Sequence, residues 1–381
     1  MRDAVICAAI RTPVGKRNGG LSGVHAVDLS AQTLQALAER SGIDITQIED
    51  VIWGCVSQVG EQTNDIARQS VLAAGWPESI TGVTVDRQCG SSQQALVFAA
   101  SSVIAGYNDV VVAGGVESMS RVPMGSSKGV DVGTPNSPLF MDRYKVAPNQ
   151  GIGAEMIAEQ QGFSRTQLDE FAIRSHEKAA KAQDSGAFES QLFPVETPDG
   201  IVKADEGVRR GSTVEKLGTL PTPFKADGVI SAGNASQISD GSSAMLVTTS
   251  EKAKELGLTP LVRVHSTALA GSNPIIMLDA PVPATEKVIA RSGLKIEDID
   301  IFEVNEAFAS VPLLWLKKLG VSEDKMNVNG GAIALGHPLG GSGGRLMATL
   351  IHAMIDGGAK YGLQTMCEGG GQANATILER L

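Results

Sequence analysis

Cysteine, histidine and aromatic residues are scarce in this chain of 381 residues, which has four cysteines, five histidines and 4% aromatic side chains. The cysteines show no CxxC spacing, so we expect neither a structural zinc site nor a disulfide framework, and a reducing compartment is the default. They are Cys7, Cys55, Cys89 and Cys367.

Long apolar runs and an excess of positive charge are also missing. The formal net charge is -10, which argues against a general nucleic-acid-binding role. No apolar stretch approaches the ~20 residues that span a bilayer, so we expect no membrane segment. Residues 1–16 lack a secretory h-region and a convincing transit pattern, and the last three residues are not Ser-Lys-Leu. We therefore expect a soluble cytoplasmic protein.

Hydrophobic residues make up 42% of the chain, and glycine is abundant at 44 residues. This length and apolar content predict two or more structural units around a large core. Short β-branched runs predict strands and alternate with helical patterns, which indicates α/β layers. The strands are predicted at 50–56, 109–115 and 301–306, and the helices at 28–41, 92–105 and 343–357.

Two parts of the chain resemble each other. "SGIDITQIEDVIWGCV" (41–56) is similar to "SGLKIEDIDIFEVNEAF" (292–308) in its Ser-Gly start, its apolar offsets and its final strand. Cys89 then precedes small residues, a helix pattern and a strand ending in glycines, and His337 precedes the same series. The features predict two copies of one α/β unit; chance similarity between common βα patterns is the alternative.

A more polar, proline-richer region, about 121–229, separates these copies. Ser164 and Gln167 form a capping-box pattern, and the helix they begin should end near Gly186. His176 lies on this helix among charged neighbours, so we interpret it as a solvated surface residue.

Cys89 allows two interpretations. A buried cysteine can act as a small hydrophobic residue. The alternative is a nucleophile at the start of a helix, where free N–H groups and the helix dipole favour a thiolate. Three further polar groups also follow extended runs, namely Asn305, His337 and Cys367. Because sites in α/β sheets gather at strand ends, these groups could form a nucleophile, its base and a second proton-carrying thiol.

These motifs together resemble the thiolase family over essentially the whole chain. The resemblance is carried by "CGSSQQA" (89–95), "GNASQISDGSSA" (233–244), "NEAFA" (305–309), "NVNGGAIALGHPLGGSG" (327–343) and "CEGGG" (367–371). It implies an αβαβα core of two similar halves, 1–258 and 259–381, with a loop domain inserted at about 121–229. It also implies a homodimer or homotetramer and no metal or redox cofactor, with coenzyme A as a substrate.

The resemblance also implies catalytic roles. Cys89 would accept the acyl group as a thioester, His337 would activate that thiol, and Cys367 would deprotonate CoA or protonate the leaving acetyl-CoA carbanion. Asn305, through a water, and His337 would form one oxyanion hole. The N–H groups of Cys89 and Gly369 would form another.

Further residues are expected to contact CoA or the acyl chain. Arg209 matches a family position beside the CoA nucleotide, and Ser236 matches one beside the pantetheine arm. Lys216 belongs to the same basic segment as Arg209, which could also be an ordinary solvated charge run. Gln150, where short-chain biosynthetic members tend to have methionine, and Met277 should lie near the acyl chain.

Departures from the family pattern bear on acyl specificity. Leu278 and Ala280 replace glycines expected near the acyl chain, while Gly341 replaces an alanine and Ala373 a glycine. The changes at Gly341 and Ala373 remove no reacting group, whereas Leu278, Ala280 and Gln150 favour a degradative 3-ketoacyl-CoA thiolase of fatty-acid or sterol-type lipid breakdown. The alternatives are a biosynthetic acetyl-CoA acetyltransferase, a decarboxylating condensing enzyme, and a CoA-ester-binding protein without catalysis.

Overall fold

The fold is seen in a computed structural model that describes residues 2–128 and 133–381. The strands are β1 (Val5–Arg11), β2 (Gly15–Lys16), β3 (Asp50–Gly54), β4 (Thr81–Val85), β5 (Val110–Ser118), β6 (Val195–Thr197), β7 (Gly200–Val202), β8 (Ser239–Thr248), β9 (Val262–Gly271), β10 (Ile301–Val304), β11 (Tyr361–Glu368) and β12 (Gln372–Arg380). The α-helices are α1 (Ala26–Ser41), α2 (Ile66–Ala73), α3 (Ser91–Ala105), α4 (Pro138–Tyr144), α5 (Gln150–Gln161), α6 (Arg165–Asp184), α7 (Val214–Gly218), α8 (Ser250–Glu255), α9 (Pro281–Ser292), α10 (Ser310–Leu319), α11 (Ala332–Leu335) and α12 (Leu339–Gly357).

The strand order repeats between the two parts of the chain. In the first part the order is β4-β3-β5-β8-β1, and in the second it is β10-β11-β12-β9. In the second part, a β-bridge between Phe302 of β10 and Met326 takes the position that β4 has beside β3 in the first part. The two sheets join through a short antiparallel pairing of β1 with β9. The predicted internal repeat and the α/β fold class are therefore confirmed.

The turn after the first helix of each unit shows the repeat at single residues. Gly42 ends α1 and Gly293 ends α9, with φ of 68° and 77°. Glycine tolerates this left-handed conformation, which closes a helix end. A 3₁₀ turn and then a strand follow in both units, Ile45–Gln47 before β3 and Ile296–Asp298 before β10.

Helices α3 and α12 pack against each other between the two sheets, whereas α1 and α2 cover the outer face of the first sheet and α9 that of the second. Alternation along β5 shows this layering. Val111 faces inward with Leu96 and Met347, whereas Val110 and Val112 face the outer layer of α1 and α2. Side chains alternate across a strand, so each sheet contributes to two apolar layers. The core is therefore the five-layer αβαβα arrangement.

The first turn of α12 lies close to the strands of the other half. A Cβ on Gly340 would stand 2.6 Å from Cys55 Cα and 2.7 Å from the Val116 carbonyl oxygen. A Cβ on Gly341 would lie 2.9 Å from the Gly241 carbonyl oxygen. Glycine at both positions thus lets the start of this helix approach β3, β5 and β8, which fixes His337 just before it.

Residues between β5 and β8 carry α4 to α7 and the hairpin β6–β7. Helix α5 packs on α10 and α6 on α11, both from the second half. The capping box at Ser164 and Gln167 is confirmed, and α6 ends just before Gly186, whose φ is 74°.

The interpretation of His176 as a solvated surface residue is wrong. Its side chain is buried, and Nδ1 accepts a hydrogen bond from the Arg209 backbone N–H at 3.1 Å. Burial lowers its pKa to about 4, so the ring is neutral near pH 7.

Among the described residues no helix is long and apolar enough to cross a membrane.

A buried ion pair joins β1 to the segment between β5 and β8, and it predicts a large stability effect. Arg11 donates to both Asp205 oxygens at 2.7 and 3.0 Å, and both side chains are fully buried. We expect Asp205→Ala to lower the free energy of unfolding by about 3–5 kcal/mol, because an unpaired guanidinium stays buried. Urea denaturation measures this loss.

The control is Asp184→Ala, because Asp184 pairs with Arg210 at 2.8 Å on the surface. That exposed pair should contribute less than about 1 kcal/mol. Equal losses in the two variants would contradict the special contribution of the buried pair.

Candidate active site

Cys89 lies in a tight turn between β4 and α3. Gln88 before it has φ of 48°, a left-handed conformation that is uncommon outside glycine. Ser91 closes the turn, because its Oγ accepts from the Arg87 N–H at 2.9 Å and donates to the Gln88 carbonyl at 2.6 Å. The Cys89 side chain packs with Leu339, two residues after His337, and with Met366, which precedes Cys367. The two halves therefore meet around this thiol.

The Cys89 thiol is neutral in the free protein. Burial raises its pKa to about 12, and the carboxylate of Glu368 adds the largest effect of any charge. This result corrects the expectation that the helix start favours a thiolate. Removal of the thiol from water raises its pKa by more than the N-terminus of α3 lowers it. Burial raises the pKa of Cys7 to about 12 as well.

His337 lies between α11 and α12 with both ring nitrogens in contact with polar groups. Nδ1 is 2.6 Å from Ser342 Oγ, and that hydroxyl donates to the Pro338 carbonyl at 3.0 Å. Since the hydroxyl hydrogen is used, Nδ1 must carry the proton and Nε2 is left as the acceptor. Nε2 lies 3.4 Å from Asn305 Nδ2, and Asn305 Oδ1 is buried with no partner in the described structure.

The imidazole of His337 is a neutral base. Burial, with a smaller contribution from the Arg345 cation, lowers its pKa to about 3. Its backbone N–H donates to Ser239 Oγ at 3.1 Å, which anchors the residue to β8.

Cys367 is the second-last residue of β11, just before the glycine turn that leads to β12. It is buried in the apolar cluster of the second half with Phe308 and Met277. Burial raises its thiol pKa, and the nearby Cys89 raises it further. Next to it, a Cβ on Gly369 would lie 2.7 Å from Gln88 Oε1, so this glycine allows the turn to approach the Cys89 loop.

A cavity of about 610 Å³ opens onto Cys89. Its lining includes Gln150 and Met277 together with Gly369. Met277 has φ of 63°, and so two non-glycine residues in the left-handed region, Met277 and Gln88, line this cavity. Such backbone strain tends to cluster at functional sites.

The other predicted binding residues lie apart from that cavity. Arg209 lines a separate cavity of about 380 Å³ with His176 and Arg210. Lys216 is exposed on α7, and Ser236 is half-buried, with its N–H donating to the Ala307 carbonyl at 2.9 Å. Leu278 and Ala280 are buried in the apolar cluster of the second half, which also contains Met277 and Cys367.

Glu117 is a buried carboxylate that sequence reasoning missed. It accepts from the N–H groups of Val56 and Ser57, both at 3.0 Å, and from Gly340 N–H at 2.9 Å. It therefore ties the first turn of α12 to the loop after β3. The repeat could have identified it, because Glu117 near the end of β5 occupies the place of Glu368 at the end of β11.

No group of three or more His, Cys, Asp or Glu side chains in residues 2–128 and 133–381 is arranged to hold a metal ion. The arrangement of polar groups is instead suited to acyl transfer between thiols. The amide of Asn305 lies beside the unprotonated Nε2 of the His337 imidazole, and the segments that carry His337 and Cys367 pack around the Cys89 thiol.

Comparison with known proteins gives the family. The chain matches the family described as "Thiolase, N-terminal domain" over residues 4–251 and that described as "Thiolase, C-terminal domain" over residues 258–380. The chain belongs to the thiolase family, as its motifs predicted.

Individual proteins of known name are similar to this chain over essentially their full length. The chain is 46% identical to the steroid 3-ketoacyl-CoA thiolase FadA6 of Mycobacterium tuberculosis, covering 100% of this chain and 95% of the relative. It is also 46% identical to a 3-ketoacyl-CoA thiolase of Aliivibrio fischeri, with 100% of both covered. The crystal structure of the Bacillus anthracis acetyl-CoA acetyltransferase is similar at a TM-score of 0.92 and 37% identity, covering 100% of this chain and 99% of that one.

The low pKa of His337 predicts an unusual titration. Between pH 5 and pH 8 its ring should stay neutral, because protonation begins only near its pKa of about 3. Chemical shifts of the ring in protein labelled at histidine should therefore be constant over this range. The control is the urea-unfolded chain, where all five histidines should titrate near the ordinary value of about 6.5. A His337 signal that titrates near pH 6.5 in the folded protein would contradict the neutral base.

Proposed function

We propose that this protein is a degradative 3-ketoacyl-CoA thiolase that cleaves its substrate with CoA through an acyl-Cys89 intermediate. The observation that carries the proposal is the packing of Cys89, from one half, against Leu339 and Met366 of the other, which lie two residues after His337 and one residue before Cys367. The alternative of a CoA-ester-binding protein without catalysis leaves this set of reacting groups unexplained.

The first half-reaction forms the acyl-enzyme. The Cys89 thiol gives its proton to Nε2 of His337 as its sulfur attacks the 3-keto carbon. The C2–C3 bond then breaks, the acyl group stays on Cys89 as a thioester, and the acetyl-CoA carbanion takes a proton from Cys367. Acetyl-CoA leaves, or propionyl-CoA from an α-methyl substrate, and Cys367 remains as a thiolate.

The second half-reaction returns the acyl group to CoA. The Cys367 thiolate removes the thiol proton of incoming CoA, and the CoA sulfur attacks the thioester carbon. The shortened acyl-CoA leaves, and Cys89 recovers its proton from His337. Both cysteines therefore end in the neutral state that the buried site favours.

Oxyanion stabilisation is needed because proton transfer from Cys89 to His337 is unfavourable in the free site. Asn305, through a water, and protonated His337 would hold the negative oxygen of one carbonyl, and the unpartnered Asn305 Oδ1 fits a bound water. The N–H groups of Cys89 and Gly369 would hold the other carbonyl oxygen. Hydrogen bonds from such preorganised donors become stronger as negative charge develops on the carbonyl oxygen. The thiolate therefore forms only as substrate binds and reacts.

CoA would enter past the inserted segment. Arg209, at its own cavity, would contact the nucleotide phosphates, with Lys216 adding positive charge, and Ser236 would contact the pantetheine arm. Gln150 and Met277, in the Cys89 cavity, would contact the acyl end.

The room around Cys89 favours acyl groups larger than acetyl. A second cavity of about 720 Å³ adjoins the first and shares Gln88, Gly369 and Gly370 with it. This space supports degradation of medium, branched or ring-bearing chains, and the steroid substrate in the name of one relative agrees with it. Biosynthesis of acetoacetyl-CoA would leave the space unused.

The wider organisation of the protein is also proposed. We divide the chain at 258 into two halves, with the loop domain at about 121–229 in the first. We propose a homodimer or homotetramer, supported by β4, which within residues 2–128 and 133–381 pairs with β3 alone and leaves Val83 43% exposed at its open edge. Sedimentation equilibrium tests this assembly. A cytoplasmic location, the absence of nucleic-acid partners and the absence of a cofactor other than the CoA substrate stay predictions.

The decisive experiment is CoA-dependent cleavage measured across short, long, branched and ring-bearing 3-ketoacyl-CoAs. We expect cleavage with a preference for chains longer than acetoacetyl, and an acyl label on Cys89 when CoA is withheld. Cys89→Ser should lose the label and turnover, because a hydroxyl is a far weaker nucleophile near neutral pH. An acyl label on Cys367, or near-normal turnover of Cys89→Ser, would overturn the mechanism.

The matched variant is Cys367→Ala. It should still allow some acyl transfer to Cys89, but it should block exchange of the α-proton of acetyl-CoA because the base is missing. The two variants therefore separate the nucleophile from the base.

The Arg209 cavity predicts a change in CoA affinity. Arg209→Ala should raise KM for CoA by about 3- to 10-fold with little change in kcat, because contacts to phosphate bind substrate and transition state alike. Higher salt should weaken CoA binding less in the variant. The control is Arg210→Ala, since Arg210 is already paired with Asp184 at 2.8 Å. If Arg209→Ala keeps the parent KM and salt dependence, Arg209 is an ordinary surface charge.

A further inference from the structure

Glu368 is a buried carboxyl group for which the mechanism above has no use. It ends β11 directly after Cys367, and its side chain is fully buried. Because neighbours on a strand face opposite sides, Cys367 lies in the apolar cluster of the second half while Glu368 points toward the start of α3. A Cβ on Gly90 would lie only 2.0 Å from Glu368 Oε1, so the carboxyl packs directly on the residue after Cys89.

The polar atoms around this carboxyl are incompletely paired. Both Glu368 oxygens, Asn374 Oδ1 and Arg87 Nε are buried with no hydrogen-bond partner among the described residues. Asn374 uses Nδ2 to donate to the Gly90 carbonyl at 3.1 Å, and Arg87 donates from Nη1 to Gln372 at 3.0 Å. Buried acceptors without donors are unfavourable, and a proton on the carboxyl would remove one acceptor and add a donor.

Glu368 acts electrostatically on both reacting thiols. Its negative charge is the largest charge effect on Cys89, with smaller contributions from Glu117 and Asp86, and it also raises the pKa of Cys367. Burial raises the pKa of Glu368 itself to about 8, although the Arg87 cation and the nearby backbone N–H of Asn374 oppose the shift and Asp86 adds to it. Near neutral pH the carboxyl is therefore mostly uncharged, and it ionises just above that range.

We propose that Glu368 is a positioning residue for the thiols: its neutral form lets Cys89 and Cys367 ionise during the reaction, and its charged form suppresses both thiolates. The residue touches no reacting atom and acts through its charge. The catalytic part of this inference rests on the proposed function, but the effect of Glu368 on the thiols does not require turnover.

The test follows alkylation of Cys89 by iodoacetamide against pH, with the modified peptide measured by mass spectrometry. Below the pKa of the carboxyl both Glu368→Gln and the parent carry no charge at this position, so their rates should agree at pH 6.5. Above it only the parent becomes negative. At pH 9.5 we expect Glu368→Gln to react about tenfold faster, the effect of one pKa unit on the thiol. Equal profiles at every pH would overturn the proposal.

Glu303→Gln is the matched control. Glu303 is also fully buried with two unpartnered oxygens and a pKa raised to about 8, but it has no part in the pKa shift of either reacting thiol. Its replacement should leave the Cys89 profile unchanged. The same high-pH acceleration in Glu303→Gln would mean a general effect of removing buried charge, which also overturns the proposal.

Two measurements keep the test valid if Glu368→Gln does not fold. The parent profile should bend downward from a line of unit slope near pH 8, where Glu368 ionises, and an unbroken line refutes the proposal. Arg87→Gln should move this bend to higher pH, because it removes the cation that favours the charged carboxyl. Absence of thiolysis with a bent profile would refute the proposed function alone, whereas thiolysis with an unbroken profile would refute the role of Glu368 alone.

Discussion

Close contact between the first turn of α12 and the strands of the first half holds the active site together. It depends on Gly340, which leaves no room for a side chain, and on Glu117, which accepts hydrogen bonds from Gly340 and from the loop after β3. His337 stands just before this turn and Cys89 just before α3, its partner in the central layer. The distance between base and nucleophile is thus set by packing of the two halves, because no single loop carries both groups.

Burial then decides the resting chemistry of the site. Taken out of water, two thiols and an imidazole all favour their neutral forms, so the free protein has a nucleophile that is not yet active. In the proposed mechanism, charge appears when the substrate supplies oxygens for the oxyanion donors to stabilise. A site of this kind limits side reactions of a thiol, since the reactive thiolate exists mainly during turnover.

Much of the fold and most of the reacting groups could be predicted from local sequence. The repeat was visible because Gly42 and Gly293 are helix ends with matching offsets, and Cys89, His337 and Cys367 stand out at ends of extended runs. The burial of His176, the neutral state of Cys89 and the contacts of Glu117 could not be predicted. Each depends on which distant segments pack over the residue, and the local pattern of a single sequence does not indicate which segments these are.

The division of the site between the two halves has a consequence for the order in which the chain is made. The first half, with Cys89, leaves the ribosome well before His337, and Cys367 follows only with the last two strands, β11 and β12. Strand β1, the first to emerge, must wait for β9 before the two sheets can join. A nascent chain therefore carries a thiol with neither base nor proton donor beside it, and it stays unable to transfer acyl groups until the final hairpin is in place.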